Sequence, residues 1–182
     1  KTIDADIKIL SNAKCDIVFV PSENEIYDEP DNRIFDFGDL DKVMEGKYRP
    51  GHFIGVAKIV TRLFDVINPH RAYFGLKDFQ QLMIVKKITE DLKFPVKIIA
   101  CPTFRENDGL AMSSRNSYLT PEQRKSALSI YQSLLKAQTL IQSGTTDASE
   151  IITVATEMIT AYPDTKINYI AVCDPDTLED VA

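Results

Sequence analysis

The chain has 182 residues, 44% of them apolar and 26% charged, which suits one substantial domain or a domain with a smaller companion. Its net charge of −6 argues against a nucleic-acid surface, which needs a basic patch. No apolar run approaches the roughly 18 residues of a membrane span, and no basic stretch followed by an apolar one opens the chain as a secretion signal would.

Three cysteines, Cys15, Cys101 and Cys173, are odd in number and far apart. They fit neither a disulfide framework nor a metal motif, and read as small buried thiols in a reducing cytosol. The opening "KTIDADIKIL", without an initiator Met, and the close "DTLEDVA" read as the edges of an excerpt from a longer protein.

Along the chain, Ile3, Ile7 and Leu10 recur at helical spacing, and Ile17 to Val20 reads as a buried strand stopped by Pro21. Ser22 to Arg49 is polar and turn-rich, punctuated by Pro30, Gly38 and Gly46. In "GHFIGVAKIVTRLFDVINP" the polar positions Lys58, Thr61, Arg62 and Asp65 form one narrow stripe. That predicts a helix buried on most sides, in a core or a subunit interface, ended by Asn68-Pro69.

"RAYFG", "KDFQQLMIVKKITEDLKF" and "PVKIIACP" then read as strand, helix and strand, a βαβ unit and hence a parallel sheet covered by helices. The character changes after Pro102, where a long polar stretch begins and a domain boundary falls. Thr120 as N-cap, Pro121 at the first helical position, Gln123 completing a capping box and Gly144 as terminator frame a long helix. "DASEIITVATEMITAY" predicts another helix, and "INYIAVCD" a closing strand.

Two stretches stand out chemically. In an open parallel sheet, ligands bind beyond the carboxyl ends of strands, where helix N-termini offer unpaired amides. In "FGLKDFQQL", Gly75 lies at such an end and lets a ligand approach the backbone. Lys77 suits a phosphate, Asp78 the hydroxyls of a ribose, and Gln81, one turn deeper, a small polar substrate. The plainer alternative makes Asp78 a helix cap and leaves Lys77 and the glutamines at the surface. In "AMSSRNSYL", two hydroxyls and a guanidinium share one loop, which suits closure over phosphates; a Ser-rich turn before a helix is the plainer alternative. His52 and His70 are the two histidines, and His52, following "RPG", reads as a capping or packing residue. No Ser-His-Asp spacing, metal cluster or G-x-x-x-x-G-K-[ST] loop occurs, so no residue is assigned to a metal.

In combination and in order, "EGKYRPGHFIGVAKIVTRLFDVINP", "YFGLKDFQQL", "CPTFRENDGLAMSSRNSYLTPEQR" and "DPDTLE" resemble the pantoate–β-alanine ligase family across essentially the whole chain. The resemblance implies an α/β fold: residues 1–102 as the later part of a Rossmann-like nucleotidylyltransferase domain, and residues 103–182 as a smaller, lid-like α+β domain. It implies a cytoplasmic homodimer that uses ATP and Mg²⁺ to convert pantoate to a pantoyl adenylate, from which the amine of β-alanine displaces AMP.

By position in the family's motifs, Gly75 and Asp78 would contact the ribose, Lys77 the phosphates and Gln81 pantoate. Ser113, Ser114 and Arg115 would close on the phosphates, while Met112 and the backbone near Phe104 would border the adenine. The family commonly has an acidic residue where Leu76 stands, which implies a local change. Its Pro-Thr-Met-Gly and His-x-Gly-His motifs do not occur in these 182 residues, so little or no ligase activity is expected of them alone. A related nucleotidylyltransferase with another substrate and a non-catalytic binding or dimerisation module are the rival readings.

Overall fold

The computed structural model describes residues 3–27 and 31–181, so the turn expected at Pro30 lies outside the described residues. The chain forms two compact units, Lys1–Ile34 and Phe35–Ala182. In the first, helix α1 (Ile3–Asn12) buries none of its residues. A single turn, α2 (Glu23–Ile26), is fastened by a capping box in which the Glu25 amide donates to Ser22 Oγ at 3.3 Å and the Ser22 amide to Glu25 Oε2 at 2.7 Å.

The expected strand at Ile17–Val20 is not formed, and Ile17 is 82% exposed. An apolar run becomes a strand only when a neighbour takes up its N–H and C=O groups, and no such partner pairs with it among the described residues.

The second unit holds the βαβ element. Strand β1 (Arg71–Gly75) and strand β2 (Lys97–Cys101) pair in parallel, in a register from Arg71 opposite Lys97 to Gly75 opposite Cys101. Between them a 3-10 turn (Leu76–Asp78) leads into α5 (Phe79–Asp91). Upstream lie the short α3 (Met44–Tyr48) and the longer α4 (His52–Ile67). Asn68 closes α4 in the left-handed conformation, its amide returning to Phe64 O at 2.8 Å.

Phe53, Ala57, Val60 and Phe64 of α4 meet Ile84, Val85 and Ile88 of α5, with Phe37 and Val96, in the principal core. The burial of α4 is therefore one-sided. Thr61 joins the buried stripe, its hydroxyl bonded to Ala57 O at 2.8 Å, while Ile54, Val66 and Ile67 remain exposed. A hydroxyl satisfied by its own helix can enter a core, which is why reading Thr61 as a surface position failed.

Beyond Cys101, α6 (Pro121–Gln142) and α7 (Ala148–Thr160) pack against each other. The capping box of α6 forms as expected, with the Gln123 amide on Thr120 Oγ1 at 3.2 Å and the Thr120 amide on Gln123 Oε1 at 3.1 Å. The strand expected at 167–174 is absent; a single antiparallel bridge, Cys173 with Asp180, stands near it. Here too β-forming residues lack a ladder partner among the described residues.

Candidate active site

The carboxyl end of β1 runs into the 3-10 turn that carries Lys77 and Asp78. Gly75 needs no special backbone angle, and a Cβ there would find only Lys77 N at 4.0 Å, so no intramolecular packing explains the glycine. Asp78 occupies the N-cap position of α5 without capping it through its side chain. Its carboxylate stays exposed, with Lys77 Nζ at 3.4 Å.

The two glutamines part company. Both border a cleft, but the Gln81 carboxamide bonds to no described residue, whereas Gln80 is buried and its carboxamide fully hydrogen-bonded.

The cleft has a volume of about 250 Å³ and brings together Lys77, Asp78 and Gln81 with Arg115, His52, Glu45 and Arg49. Three cations face two carboxylates there, though the Glu45–Arg49 pair at 3.5 Å and the Lys77–Asp78 pair offset part of the charge. Arg115 forms no ion pair among the described residues. Burial, reinforced by the Arg49 charge, holds the His52 imidazole below its usual range, so it favours the neutral form. Its ring rests against Phe53 with centroids 5.0 Å apart. Such a cleft suits an anion that carries hydrogen-bonding groups.

Phe104, Met112, Ser113 and Ser114 lie on the loop that leads to Arg115, outside the lining of the cleft. The Met112 amide donates to Phe104 O at 2.9 Å, placing two exposed apolar side chains side by side. Ser113 caps the 3-10 turn Ser114–Tyr118, accepting from the Arg115 amide at 3.2 Å.

The rest of the motif holds this loop still. Asn116 Nδ2 donates to Glu106 Oε1 at 2.8 Å and to Ala111 O at 3.1 Å. Arg124 spans Glu106 and Asp108 at 2.7 and 2.6 Å, and the Arg105 guanidinium covers the Tyr131 ring at 4.2 Å. Much of "FRENDGLAMSSRN" is thus scaffolding around exposed Met112, Ser114 and Arg115 and half-buried Ser113.

Glu45, Arg49, His52 and Tyr169 also line the cleft, and sequence reasoning passed over them in this role. Glu45 and Arg49 did carry a signal, opposite charges one helical turn apart beside "PGH". Tyr169 carried none; it reaches the cleft through tertiary packing, stacked on Tyr48 at 5.6 Å. A second cavity of about 590 Å³, between α6, α7 and residues 164–172, is mainly apolar and includes none of Lys77, Asp78, Gln81 and Arg115.

The fold is that of a nucleotidylyltransferase-type α/β protein. It matches the crystal structure of pantothenate synthetase from Thermus thermophilus with a TM-score of 0.94 at 41% identity, over 100% of this chain and 66% of that one. A sequence model of pantoate-beta-alanine ligase matches residues 1–182, and the chain belongs to that family.

Among curated relatives it is 46% identical over 181 residues to pantothenate synthetase of Bacteroides fragilis (strain YCH46), and 46% over 175 residues to that of Aquifex aeolicus (strain VF5). These alignments cover 100% and 96% of this chain, and 64% and 62% of the relatives, so the chain spans just under two thirds of their length. Pantoate-beta-alanine ligase from Francisella tularensis, whose crystal structure is complexed with beta-gamma ATP and beta-alanine, matches at a TM-score of 0.70 and 34% identity, over 87% of this chain and 59% of that one.

Proposed function

We propose that this chain carries part of the site at which ATP activates pantoate and β-alanine takes up the activated acyl group, giving pantothenate, AMP and pyrophosphate. The convergence of Lys77, Asp78, Gln81 and Arg115 on one cleft beyond β1 carries the proposal. In the first step a carboxylate oxygen of pantoate attacks the α-phosphorus and pyrophosphate leaves. Charge builds on phosphate oxygens, and the Lys77 ammonium and Arg115 guanidinium stabilise it. In the second step the β-alanine amine attacks the acyl carbon, AMP departs with the bonding pair, and the amine gives up a proton.

Gln81, with no competing bond among the described residues, orients pantoate. Asp78, released from capping, accepts the ribose hydroxyls, and Gly75 leaves room for the nucleotide. Met112 and the backbone near Phe104 border the adenine, and Ser113 and Ser114 donate to phosphate oxygens. No covalent enzyme intermediate is needed; positioning and exclusion of water from the acyl phosphate supply most of the rate.

Mg²⁺ enters as the counter-ion of ATP, held mainly by phosphates and water; among the described residues no group of three His, Cys, Asp or Glu is arranged to hold a metal ion. We further propose residues 1–102 as the nucleotide-binding part and 103–182 as its lid, within a cytoplasmic homodimer. That these 182 residues alone turn over little is part of the proposal, supported by the missing His-x-Gly-His string.

Pantoate-dependent exchange of labelled pyrophosphate into ATP tests it, on this chain and on a family-length protein containing it. The longer protein exchanges, and Lys77→Ala or Arg115→Ala lowers its rate by roughly a hundredfold or more. No exchange by the family-length protein would overturn the assignment.

A further inference from the structure

Gln81 faces the cleft, while its neighbour Gln80 has no task in the proposed chemistry. Gln80 also borders the cleft, but it is only 5% exposed and its carboxamide is engaged by backbone groups of residues 40–45. Its Nε2 donates to Leu40 O at 2.7 Å and Val43 O at 2.9 Å, and its Oε1 accepts from the Glu45 amide at 3.0 Å.

These partners surround a backbone that local interactions do not explain. Val43, the N-cap of α3, offers no capping side chain, and Met44 sits at φ 47°, in the left-handed region that side chains with a Cβ disfavour. Such a conformation persists where its surroundings over-determine it. Gly46 adds a second constraint, because a Cβ there would lie 2.1 Å from Asp41 O. The segment so held leads into α3, which presents Glu45 and Arg49 to the cleft and is followed by left-handed Gly51 and then His52. The opposite wall consists of Lys77, Asp78 and Gln81, the residues on either side of Gln80 in the chain.

We infer that Gln80 is a positioning residue: its three hydrogen bonds set the α3 wall at a fixed distance from the Lys77–Gln81 wall, and so set the width of the pantoate end of the cleft. The inference rests on the functional reading above for the identity of the substrate, and on the hydrogen bonds alone for the positioning.

Gln80→Met keeps the buried volume and removes all three bonds. In the family-length protein it raises KM for pantoate roughly tenfold and leaves KM for ATP within about twofold, because the proposed nucleotide contacts lie on residues that Gln80 does not touch. A purely structural role would lower the active fraction, hence apparent kcat, without moving one KM alone. In parallel, hydrogen exchange on the 182-residue chain shows lost protection at the Glu45 amide and around residues 40–48, while α5 and β2 stay protected. Unchanged pantoate KM, a parallel rise in both KM values, or a Glu45 amide as slow as in the wild type would overturn the inference. If the wild type shows no pantoate-dependent exchange, the substrate reading falls, and hydrogen exchange decides the positioning by itself. Should Gln80→Met fail to fold, Gln80→Glu, which keeps the acceptor for the Glu45 amide and loses both donors, is read by the two KM values alone: a rise confined to pantoate supports the inference, and unchanged or parallel values overturn it.

Discussion

Gly109→Ala tests the scaffold beneath the serine-arginine loop. Gly109 has φ +94°, and an added Cβ would lie 2.1 Å from Cδ1 and 2.3 Å from Cε1 of Tyr131. Carbon atoms rest at about 3.5 Å or more, so ring and loop must separate by roughly 1.4 Å. The ring is held from its other neighbour, Arg105, whose guanidinium stands 4.2 Å from the centroid and also donates to Gly109 O at 3.1 Å.

The left-handed backbone costs about 1–2 kcal/mol once a Cβ is present, the forced repacking about 1–3 kcal/mol, and the disturbed cation–π contact about 0.5–1 kcal/mol. Because the terms overlap, a total of about 3–5 kcal/mol is expected, at the high end for a single substitution. Urea unfolding reads this as a lower midpoint at unchanged slope. A companion Tyr131→Ala background isolates the clash, since there Gly109→Ala retains only the backbone cost. A loss below about 1 kcal/mol in the wild-type background, or the same loss in both, would refute the packing argument.

The core makes a simpler prediction: Ile84→Ala, at a fully buried position, costs about 2–5 kcal/mol by urea unfolding, whereas Ile17→Ser, at an exposed one, stays within about 0.5 kcal/mol. The His52 imidazole titrates below the free-histidine range by NMR. Since its folded value is depressed, the stability it contributes is complete above pH of about 6.5 and is lost as pH falls through the folded value; a midpoint at or above the free value would refute the burial argument. Hydrogen bonds from Ser149 Oγ at 2.6 Å and the Ser149 amide at 2.8 Å hold the Asp147 carboxyl below its usual range at the N-terminus of α7. Its stabilisation is therefore present above the usual carboxylate range and lost as pH falls through the folded value, so Asp147→Ala lowers the thermal midpoint at pH 7 and the gap closes in strong acid.

Where information was local, the residues announced their structure. Thr120, Pro121 and Gln123 place a helix start because a cap is an arrangement among four neighbouring positions, and Asn68 ends α4 in the same way. The βαβ unit was legible because apolar strands and a helix of matching length alternate within a short span. Lys77, Asp78 and Arg115 were legible as candidates because each combines a suitable functional group with a turn-bound setting, and Gln81 because it follows Asp78 by one turn of the helix.

Other features depended on partners distant in the chain. Ile17–Val20 and residues 167–174 have strand composition, yet pairing is a property of two segments, and among the described residues the first finds no ladder partner and the second only the isolated Cys173–Asp180 bridge. Thr61 looked like surface until its hydroxyl found Ala57 O, while Glu45, Arg49 and His52 entered the cleft only because the fold sets α3 and the start of α4 beside the turn after β1, and Tyr169 through its stacking on Tyr48. The Gln80-Gln81 pair shows the division most plainly. Side by side and chemically identical, both border the cleft yet serve different tasks because successive positions on a helix lie about 100° apart: the Gln80 carboxamide bonds the Leu40–Glu45 backbone, while the Gln81 carboxamide bonds to no described residue. Sequence alone determined the βαβ unit, the locally capped helices and the chemical inventory of the site; the tertiary structure decided which apolar runs pair and which groups face each other, because both are set by contacts between residues that the chain keeps far apart.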